Sequence, residues 1–373
     1  MRFAILSVLV AAATVTAKAA DFLFISGATD WNKPNPVGLS IYSTNPSNGQ
    51  LTLAKEYTSN TTGNQPTYMA ISRKKKFLYL TNEVEQGQVA SFRIRYDGKN
   101  IALDSLGLAP TNTNGPVHLV VTDDNRFVIL ASYNAGAVTV LEIDSNGKAG
   151  KIVDSVAFQG ASLVVPDRQE RPHAHCVALS PCNCFVYVTD LGNDKIMQFR
   201  FDPKTGKLQA NNPCFVPTGA GSLPRHMVFH PRGDRLYLTT EYTNELVVFD
   251  YNKTDGNLKQ RKRVKTTNAT SILTGAIHAT EDGHILVSNR GVADNSVVLF
   301  TDDLQLVTSV RTSPAGQNGI PRDFTVFNGN VYVANQNTNN VPAFTFRNNA
   351  FGPTNINISH FGPQCLLGVK FQG

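Results

Sequence analysis

The sequence predicts an all-β fold built from repeated sheets, and the spacing of its turns is the main reason. Within 373 residues, one pattern recurs: a small residue or proline, an apolar run, a tight turn and a second apolar run. Successive turns lie roughly fifty residues apart, a spacing typical of propeller blades. The turns fall at Lys74/Lys75, Asp124/Asn125, Cys182/Asn183, Arg232/Gly233, Asp282/Gly283 and Asn328/Gly329.

The segment after each of these hairpins alternates apolar and polar residues, as half-buried strands do. Patterns with a helical period are nearly absent from the chain, which agrees with an all-β fold. We expect the third strand of each blade at residues 89–94, 138–143, 196–201, 246–251, 296–300 and 341–346.

The two ends of the chain predict one further blade. Residues 22–26, 38–43 and 51–57 read as three strands, and residues 364–371 read as one inner strand. Joining them would remove the exposed sheet edges of an open array. The expected architecture is therefore a seven-bladed β-propeller whose last blade is closed by N- and C-terminal strands.

The first residues have the pattern of a secretory signal peptide: a basic residue, a short apolar stretch and the cleavage motif Ala17-Lys18-Ala19. We expect residues 1–19 to be a signal peptide, residues 20–373 to be a single propeller domain, and the protein to be secreted. Four N-x-S/T sequons would make it a glycoprotein in a eukaryotic secretory pathway. They begin at Asn60, Asn252, Asn268 and Asn357.

Charge and hydropathy argue against two classes of partner. The formal net charge is +6, and Arg2 and Lys18 of the predicted leader account for two of these charges. Such a modest excess does not predict a nucleic-acid-binding surface, and the basic run at 259–265 reads as an outer, solvated strand. No later segment has the roughly 20 apolar residues of a membrane helix.

The expected partner is instead a small anionic substrate, and we expect the protein to be a monomer.

The five cysteines are an odd number for a secreted chain, so at least one should remain free. Cys182 and Cys184 flank a turn, and Cys214 lies in a later strand of the same blade. A disulfide from one of the pair to Cys214 fits this arrangement, although the sequence does not settle the connectivity. Cys176 and Cys365 fall in inner strands, where a buried thiol acts as a small apolar side chain.

Hairpin symmetry brings polar residues to one rim of the propeller. Residues equally far from a hairpin turn pair across the two strands, which predicts the pairs Arg225–Glu241, His175–Asp190, Thr274–Arg290 and Arg322–Asn335. Because the first strand of each blade lines the axis, residues at the same phase should form a ring. That ring would contain Asn82, Glu83, His118, Tyr133, Asn134, His173, His175, Asp190, Arg225, His226, Glu241, Asn289, Arg290, Arg322 and Gln336.

Several segments of this ring, in order and at matching spacing, resemble the seven-bladed propeller lactonases, which include 6-phosphogluconolactonase and carboxy-cis,cis-muconate cyclase. The matching segments are PHAH at 172–175, DLGNDK at 190–195, GSLPRHMVFHP at 221–231, SNRG at 288–291 and PRDF at 321–324. The resemblance implies that His175, Arg225, Glu241 and Arg290 are catalytic.

The residue types of the ring suit chemistry on a lactone. An arginine guanidinium can make bidentate contacts with two carboxylate or phosphate oxygens. The residues expected to bind substrate are Arg322, His173, His226, Asn289, Gln336 and Asp190. Glu241, ionised beside Arg225, is expected to act as a base. His175, oriented by Asp190, is expected to donate a proton. The crowded arginines oppose a cation, so we expect no metal and no cofactor.

These residues predict a secreted lactonase or cycloisomerase-like enzyme that opens or forms the lactone of a small carboxylated substrate, either muconate-type or a sugar acid. One alternative is a 6-phosphogluconolactonase-type hydrolase, although its substrate is cytoplasmic. The other is a secreted propeller glycoprotein that binds a ligand without turnover. The sequence does not distinguish ring opening from ring closing.

Overall fold

Seven antiparallel four-stranded sheets form the computed structural model, which describes residues 21–371. The predicted signal peptide lies outside these residues. Blade 1 joins both ends of the chain and contains β1 (Asp21–Gly27), β2 (Val37–Thr44), β3 (Leu51–Thr58) and β28 (Pro363–Lys370). The predicted seven-bladed propeller, closed by N- and C-terminal strands, is confirmed.

Each other blade uses four consecutive strands. Blade 2 contains β4 (Pro66–Ile71), β5 (Phe77–Asn82), β6 (Gln88–Tyr96) and β7 (Ile101–Pro110). Blade 3 contains β8 (Pro116–Val121), β9 (Phe127–Ser132), β10 (Ala137–Ile143) and β11 (Ala149–Ala157). Blade 4 contains β12 (Ala174–Leu179), β13 (Phe185–Asp190), β14 (Lys195–Phe201) and β15 (Leu208–Pro217).

The last three blades follow the same plan. Blade 5 contains β16 (Pro224–Phe229), β17 (Arg235–Thr240), β18 (Glu245–Tyr251) and β19 (Leu258–Lys265). Blade 6 contains β20 (Leu273–Ala279), β21 (Ile285–Arg290), β22 (Ser296–Phe300) and β23 (Leu306–Arg311). Blade 7 contains β24 (Pro321–Phe327), β25 (Asn330–Asn335), β26 (Asn340–Arg347) and β27 (Ala350–Ser359).

The first strand of each blade, with β28 serving in blade 1, surrounds the axis as predicted, because these strands contact one another in cyclic order. The predicted third strands and the basic outer strand β19 are also present. Within the part of the chain that the structure describes, helix is limited to α1 (Ser59–Thr62) and the 3-10 turn Leu191–Asn193. Within residues 21–371, neither is long enough to cross a membrane.

Apolar clusters fill the spaces between neighbouring blades, so that each blade buries both faces. Tyrosines on the second strands brace four of these junctions. Tyr79 and Tyr237 donate hydrogen bonds to the carbonyl oxygens of Gly147 (3.0 Å) and Asp302 (2.8 Å) in the next blade. Tyr332 donates to the Gly49 carbonyl at 2.8 Å and thereby links blade 7 to blade 1. Tyr187 makes the matching bond to Gly256.

The disulfide differs from the one we expected. Cys182 and Cys184 bond to each other across their turn, and Cys214 is free and exposed on the outer strand β15. The expected bond to Cys214 was wrong because that residue lies in the irregular stretch of β15 between Ala210 and Phe215, opposite the middle of β14 and away from the turn. Cys176 and Cys365 are buried free thiols, as predicted.

Candidate active site

Four predicted catalytic side chains come together at one end of the axis, although they belong to three blades. His175 lies in β12 of blade 4 and Arg225 in β16 of blade 5. Glu241 directly follows β17 of blade 5, and Arg290 ends β21 of blade 6. All four are less than a tenth exposed. Because inner strands begin and second strands end at the same rim, residues distant in the sequence meet there.

The strand register at this rim differs from the predicted one, by one residue in blades 4, 6 and 7 and by two residues in blade 5. Asp190 pairs with Ala174, Thr240 with Pro224, Arg290 with Leu273 and Asn335 with Pro321. A β-bulge follows the first pair in blades 4, 5 and 7 and the second pair in blade 6, so counting from the turn misplaces the residues beyond the bulge. The expected pairing of His175 with Asp190 and of Arg225 with Glu241 in the ladder was therefore wrong.

The bulges decide which side chains face the axis. In every blade, the inner strand has a residue near this rim that has no partner in the ladder. Such extra residues redirect their side chains out of the regular pleat. In six blades they line one narrow axial cavity of about 10 Å³, enough for a single water molecule. These residues are Thr67, Val117, His175, Arg225, Arg322 and Gln364.

Blade 6 has glycine at the bulge, and this explains how Arg290 enters the site from a second strand. A Cβ atom on Gly275 would lie 3.1 Å from both Cδ and Nε of Arg290 and 2.4 Å from Oγ of Ser288. The missing side chain thus leaves the space that Arg290 occupies. Arg290 is fixed there by a 3.0 Å hydrogen bond from Nη2 to the carbonyl oxygen of Thr274.

Glu241 is surrounded by three guanidinium groups. Its Oε1 accepts from Nη2 of Arg168 at 2.8 Å, and its Oε2 lies 2.9 Å from Nη2 of Arg290 and 3.2 Å from Nε of Arg225. Burial by itself would raise the pKa of Glu241, but the three guanidinium groups outweigh burial and hold that pKa well below its usual range. Glu241 is therefore ionised, and both of its oxygens contact guanidinium groups.

The histidines at the axis are neutral at pH 7. Burial, aided by the nearby charge of Arg225, lowers the pKa of His175 and of His226 well below the ordinary value and that of His118 to about 3. The His226 ring lies 5.1 Å from the His175 ring and 5.3 Å from the His118 ring. His175 is therefore a neutral imidazole, and its buried Nδ1 has no hydrogen-bond partner among the described residues.

Two arginines at the axial cavity retain unused donors. Within residues 21–371, the partly exposed Arg322 guanidinium has no hydrogen-bond or ion-pair partner, and the buried Nη1 of Arg225 and Nδ1 of His175 have no hydrogen-bond partner. Burial, followed by the charges of Arg290 and Arg322, lowers the pKa of Arg225. An anionic oxygen atom at this position would relieve the repulsion and accept from the free donors.

Other predicted binding residues lie inside the blades. Asp190 is fully buried and accepts from the His173 backbone at 3.0 Å and from Asn193 at 2.7 Å. Asn289 is fully buried, donates to the Thr266 carbonyl at 3.1 Å and accepts from the hydroxyl of that residue. These side chains brace loops rather than face the axis.

His173 and Gln336 lie near the rim but do not line the cavity. His173 stacks on Tyr133 with ring centroids 4.4 Å apart, and its Nε2 contacts Glu170 at 3.1 Å. Gln336 is partly buried, and its backbone amide donates to the carbonyl of Ile320.

Sequence reasoning missed Arg168, which contacts Glu241. It lies in the loop 158–173 between β11 and β12, outside any strand repeat. The available signal was the length of this loop and its charged run DRQER at 167–171. Thr67 and Gln364 were also missed, since position in a bulge is not visible in the apolar pattern, and so was Asp323, which lines the cavity next to the bulge residue Arg322.

A thiol near the histidines is a packing residue. Sγ of Cys176 lies 3.5 Å from Nε2 of His118, and burial raises the pKa of Cys176 to about 12. Among the described residues, no three His, Cys, Asp or Glu side chains are grouped so as to hold a metal ion.

Comparison with known proteins agrees with this geometry. A family model described as "Lactonase, 7-bladed beta-propeller" matches residues 22–366. A 6-phosphogluconolactonase of Bacillus subtilis is 33% identical over 294 residues, covering 75% of this chain and 79% of that protein. A 6-phosphogluconolactonase of Formosa agariphila is 27% identical over 338 residues, with 86% and 91% covered.

A solved structure extends the comparison to three dimensions. The periplasmic gluconolactonase of Pseudomonas aeruginosa superposes with a TM-score of 0.83 at 26% identity. The match covers 94% of this chain and 99% of that one. Together, these similarities support an enzyme that acts on lactones.

Proposed function

This chain belongs to the seven-bladed β-propeller lactonase family, and we propose that it hydrolyses a small lactone that carries an anionic group. One observation supports the proposal most directly: a neutral, buried imidazole, His175, lines the same axial cavity as Arg225 and Arg322. A base without charge and a set of fixed cations are what attack on a carbonyl requires.

In the proposed reaction, His175 removes a proton from water as the water oxygen attacks the lactone carbonyl. The carbonyl oxygen gains negative charge, which Arg225, Arg290 and Arg322 stabilise. When the ring C–O bond breaks, the imidazolium of His175 returns the proton to the leaving alkoxide. One water is consumed, and an open hydroxy acid is released.

Glu241 takes a different role from the one expected from the sequence. Both of its carboxylate oxygens are engaged by guanidinium groups, Oε1 by Arg168 and Oε2 by Arg225 and Arg290, so neither oxygen is free to take the proton from water. Its contacts to Arg225 and Arg290 orient both groups. We assign Glu241 as a positioning residue that fixes the cations around the developing oxyanion.

The test is proton release from glucono-δ-lactone and 6-phosphoglucono-δ-lactone at constant pH, with the spontaneous rate subtracted. Replacing the proposed base with His175→Asn should lower kcat about 10²–10⁴-fold. His284→Asn is the matched control, since His284 lies near the hairpin turn at the opposite end of blade 6 and contacts Asp282 and Asn349. It should retain wild-type turnover.

The pH profile gives a second readout for the base. Because burial lowers the pKa of His175, wild-type kcat/KM should stay constant to well below pH 6.5 before falling. His175→Asn should remove that acid limb. Equal kcat in His175→Asn and wild type would exclude His175 as the base.

The same assay distinguishes the other candidate functions. Turnover of 3-carboxy-cis,cis-muconate, followed by loss of diene absorbance, without lactone hydrolysis would favour a cycloisomerase. Thermal stabilisation by these compounds without any turnover would favour a binding protein. Secretion through residues 1–19 also remains a prediction, which N-terminal sequencing of the protein from its own source would test.

A further inference from the structure

One arginine at the site comes from a loop rather than a strand. Arg168 lies in the loop 158–173, which joins blades 3 and 4, yet its side chain reaches Glu241 of blade 5. On the way it contacts the Tyr133 hydroxyl, 3.3 Å from Nη2 and 3.4 Å from Nε. The guanidinium therefore connects Tyr133 of blade 3 with Glu241 of blade 5.

The loop that holds Arg168 is anchored on both sides of it. Gln169 is fully buried, and its Nε2 donates to the carbonyl oxygen of Leu191 at 3.0 Å. Ser162 Oγ donates to Oδ2 of Asp194 at 2.7 Å, and Asp194 also accepts from the backbone of Leu223. The backbone position of Arg168 is thus fixed, and what can change is the direction of its side chain.

Among the three arginines around Glu241, Arg168 alone reaches solvent to a considerable extent. Its side chain is 35% exposed, against 2% for Arg225 and 7% for Arg290. If Arg168 turned to another anion, Glu241 would keep its contacts with the two buried arginines. Loss of the Arg168 contact therefore does not leave the buried charge of Glu241 uncompensated.

The position of Arg168 relative to His175 indicates which part of a substrate it would meet. Both residues contact Tyr133: its ring centroid is 5.6 Å from that of His175, and its hydroxyl contacts Arg168. A lactone whose carbonyl is at His175 would have to extend along the Tyr133 ring to its hydroxyl to reach Arg168. The group met there would be a substituent remote from the reacting carbonyl.

We propose that Arg168 is a specificity-determining residue that binds an anionic group, phosphate or carboxylate, on the substrate at a distance from the lactone carbonyl. The inference rests on the proposed lactonase function and adds the residue that selects the charged substrate. When substrate binds, the planar guanidinium of Arg168 turns from Glu241 to the anionic group and makes bidentate hydrogen bonds to two of its oxygens.

The experiment compares two lactones that differ only in a remote phosphate. kcat/KM is measured for 6-phosphoglucono-δ-lactone and for glucono-δ-lactone with wild type, Arg168→Met and Arg168→Lys. The ratio of the two values should fall about 10–100-fold in Arg168→Met, as expected for loss of a charged hydrogen bond, and less in Arg168→Lys. Arg171→Met is the matched control, since Arg171 is 57% exposed in the same loop and pairs with Glu170; its ratio should not change.

An equal loss on both lactones in Arg168→Met would overturn the inference, because Arg168 would then act only by holding Glu241. If wild type hydrolyses neither lactone, the proposed function fails, and inorganic phosphate becomes the probe. Stabilisation of wild type but not of Arg168→Met against heat by phosphate would still support an anion site at Arg168. Equal stabilisation of both proteins would exclude it.

Discussion

Glu241→Gln should destabilise the fold far more than the loss of an ordinary ion pair. The side chain of Glu241 is 5% exposed and is within ion-pair distance of Arg168, Arg225 and Arg290. The amide keeps the shape of the carboxylate but removes the charge, so two deeply buried guanidinium groups lose their compensating anion. Removing one member of a buried ion pair costs about 3–5 kcal/mol.

That free energy can be expressed as a change in melting temperature. An unfolding entropy of about 2.1 cal/mol/K per residue amounts to about 0.7 kcal/mol/K for a domain of this length. The predicted loss then lowers Tm by about 4–7 °C. Differential scanning calorimetry at pH 7, where Glu241 is ionised, measures the shift directly.

A surface pair provides the control for this measurement. Asp104 pairs with Arg95 on the outside of blade 2, where the two side chains are 39% and 69% exposed. Asp104→Asn makes the same chemical change, and exposed pairs contribute at most about 1 kcal/mol, so Tm should fall by about 1 °C. A Tm of Glu241→Gln no lower than that of Asp104→Asn would refute the argument that Glu241 compensates the buried arginines.

Two further predictions concern acid stability and the glycine at the bulge of blade 6. Three histidines at the axis have folded-state pKa values below the ordinary value of about 6.5, so below that pH they bind more protons in the unfolded chain. Their contribution to stability is complete above it and falls as pH decreases towards the folded pKa values, by up to about 4 kcal/mol per pH unit for the three together. The residues are His118, His175 and His226, and a Tm that is constant from pH 7 to pH 5 would contradict the prediction. Gly275→Ala should displace Arg290, whose Cδ would lie 3.1 Å from the new Cβ, and should lower kcat/KM about 10²-fold. The control is Gly150→Ala, whose new Cβ meets no atom within 4 Å. Equal kcat/KM in the two variants would show that the position of Arg290 does not depend on the absence of a side chain at Gly275.

The blade count, the inner strands and the shared rim could be predicted because they depend on local and periodic signals. The turn at Asn125, for example, lies in the left-handed region with φ of 58°, a conformation that asparagine tolerates well. The apolar runs on either side of such a turn identify two strands, and strands of one hairpin must return to the rim where they began. This logic placed Arg225 and Glu241 at the same end of one blade.

The exact register and the protonation states could not be predicted, because each depends on interactions beyond the repeat. The bulge at His175 lies before the apolar run at 176–179 begins, so the hydrophobic pattern is the same with or without it. The pKa of His175 depends on burial and on Arg225 from the next blade, which are properties of the assembled ring. Arg168 belongs to a loop that has no counterpart in the other blades, so no repeat could point to it.

The bulges also explain how the propeller can carry different functional side chains at its axis while the strand pairing stays the same. A bulge residue has no partner in the ladder, so its side chain can change without altering the pairing that holds the blade together. Within one ring, the position is occupied by an imidazole at His175, a guanidinium at Arg322, an amide at Gln364 and no side chain at Gly275. The missing side chain at Gly275 is as important as the side chains at the other positions, because it leaves space for Arg290 of the neighbouring strand. Substitutions at these positions should therefore change substrate and rate while the propeller remains folded, whereas loss of Glu241 affects both because it compensates charges that the fold itself has buried.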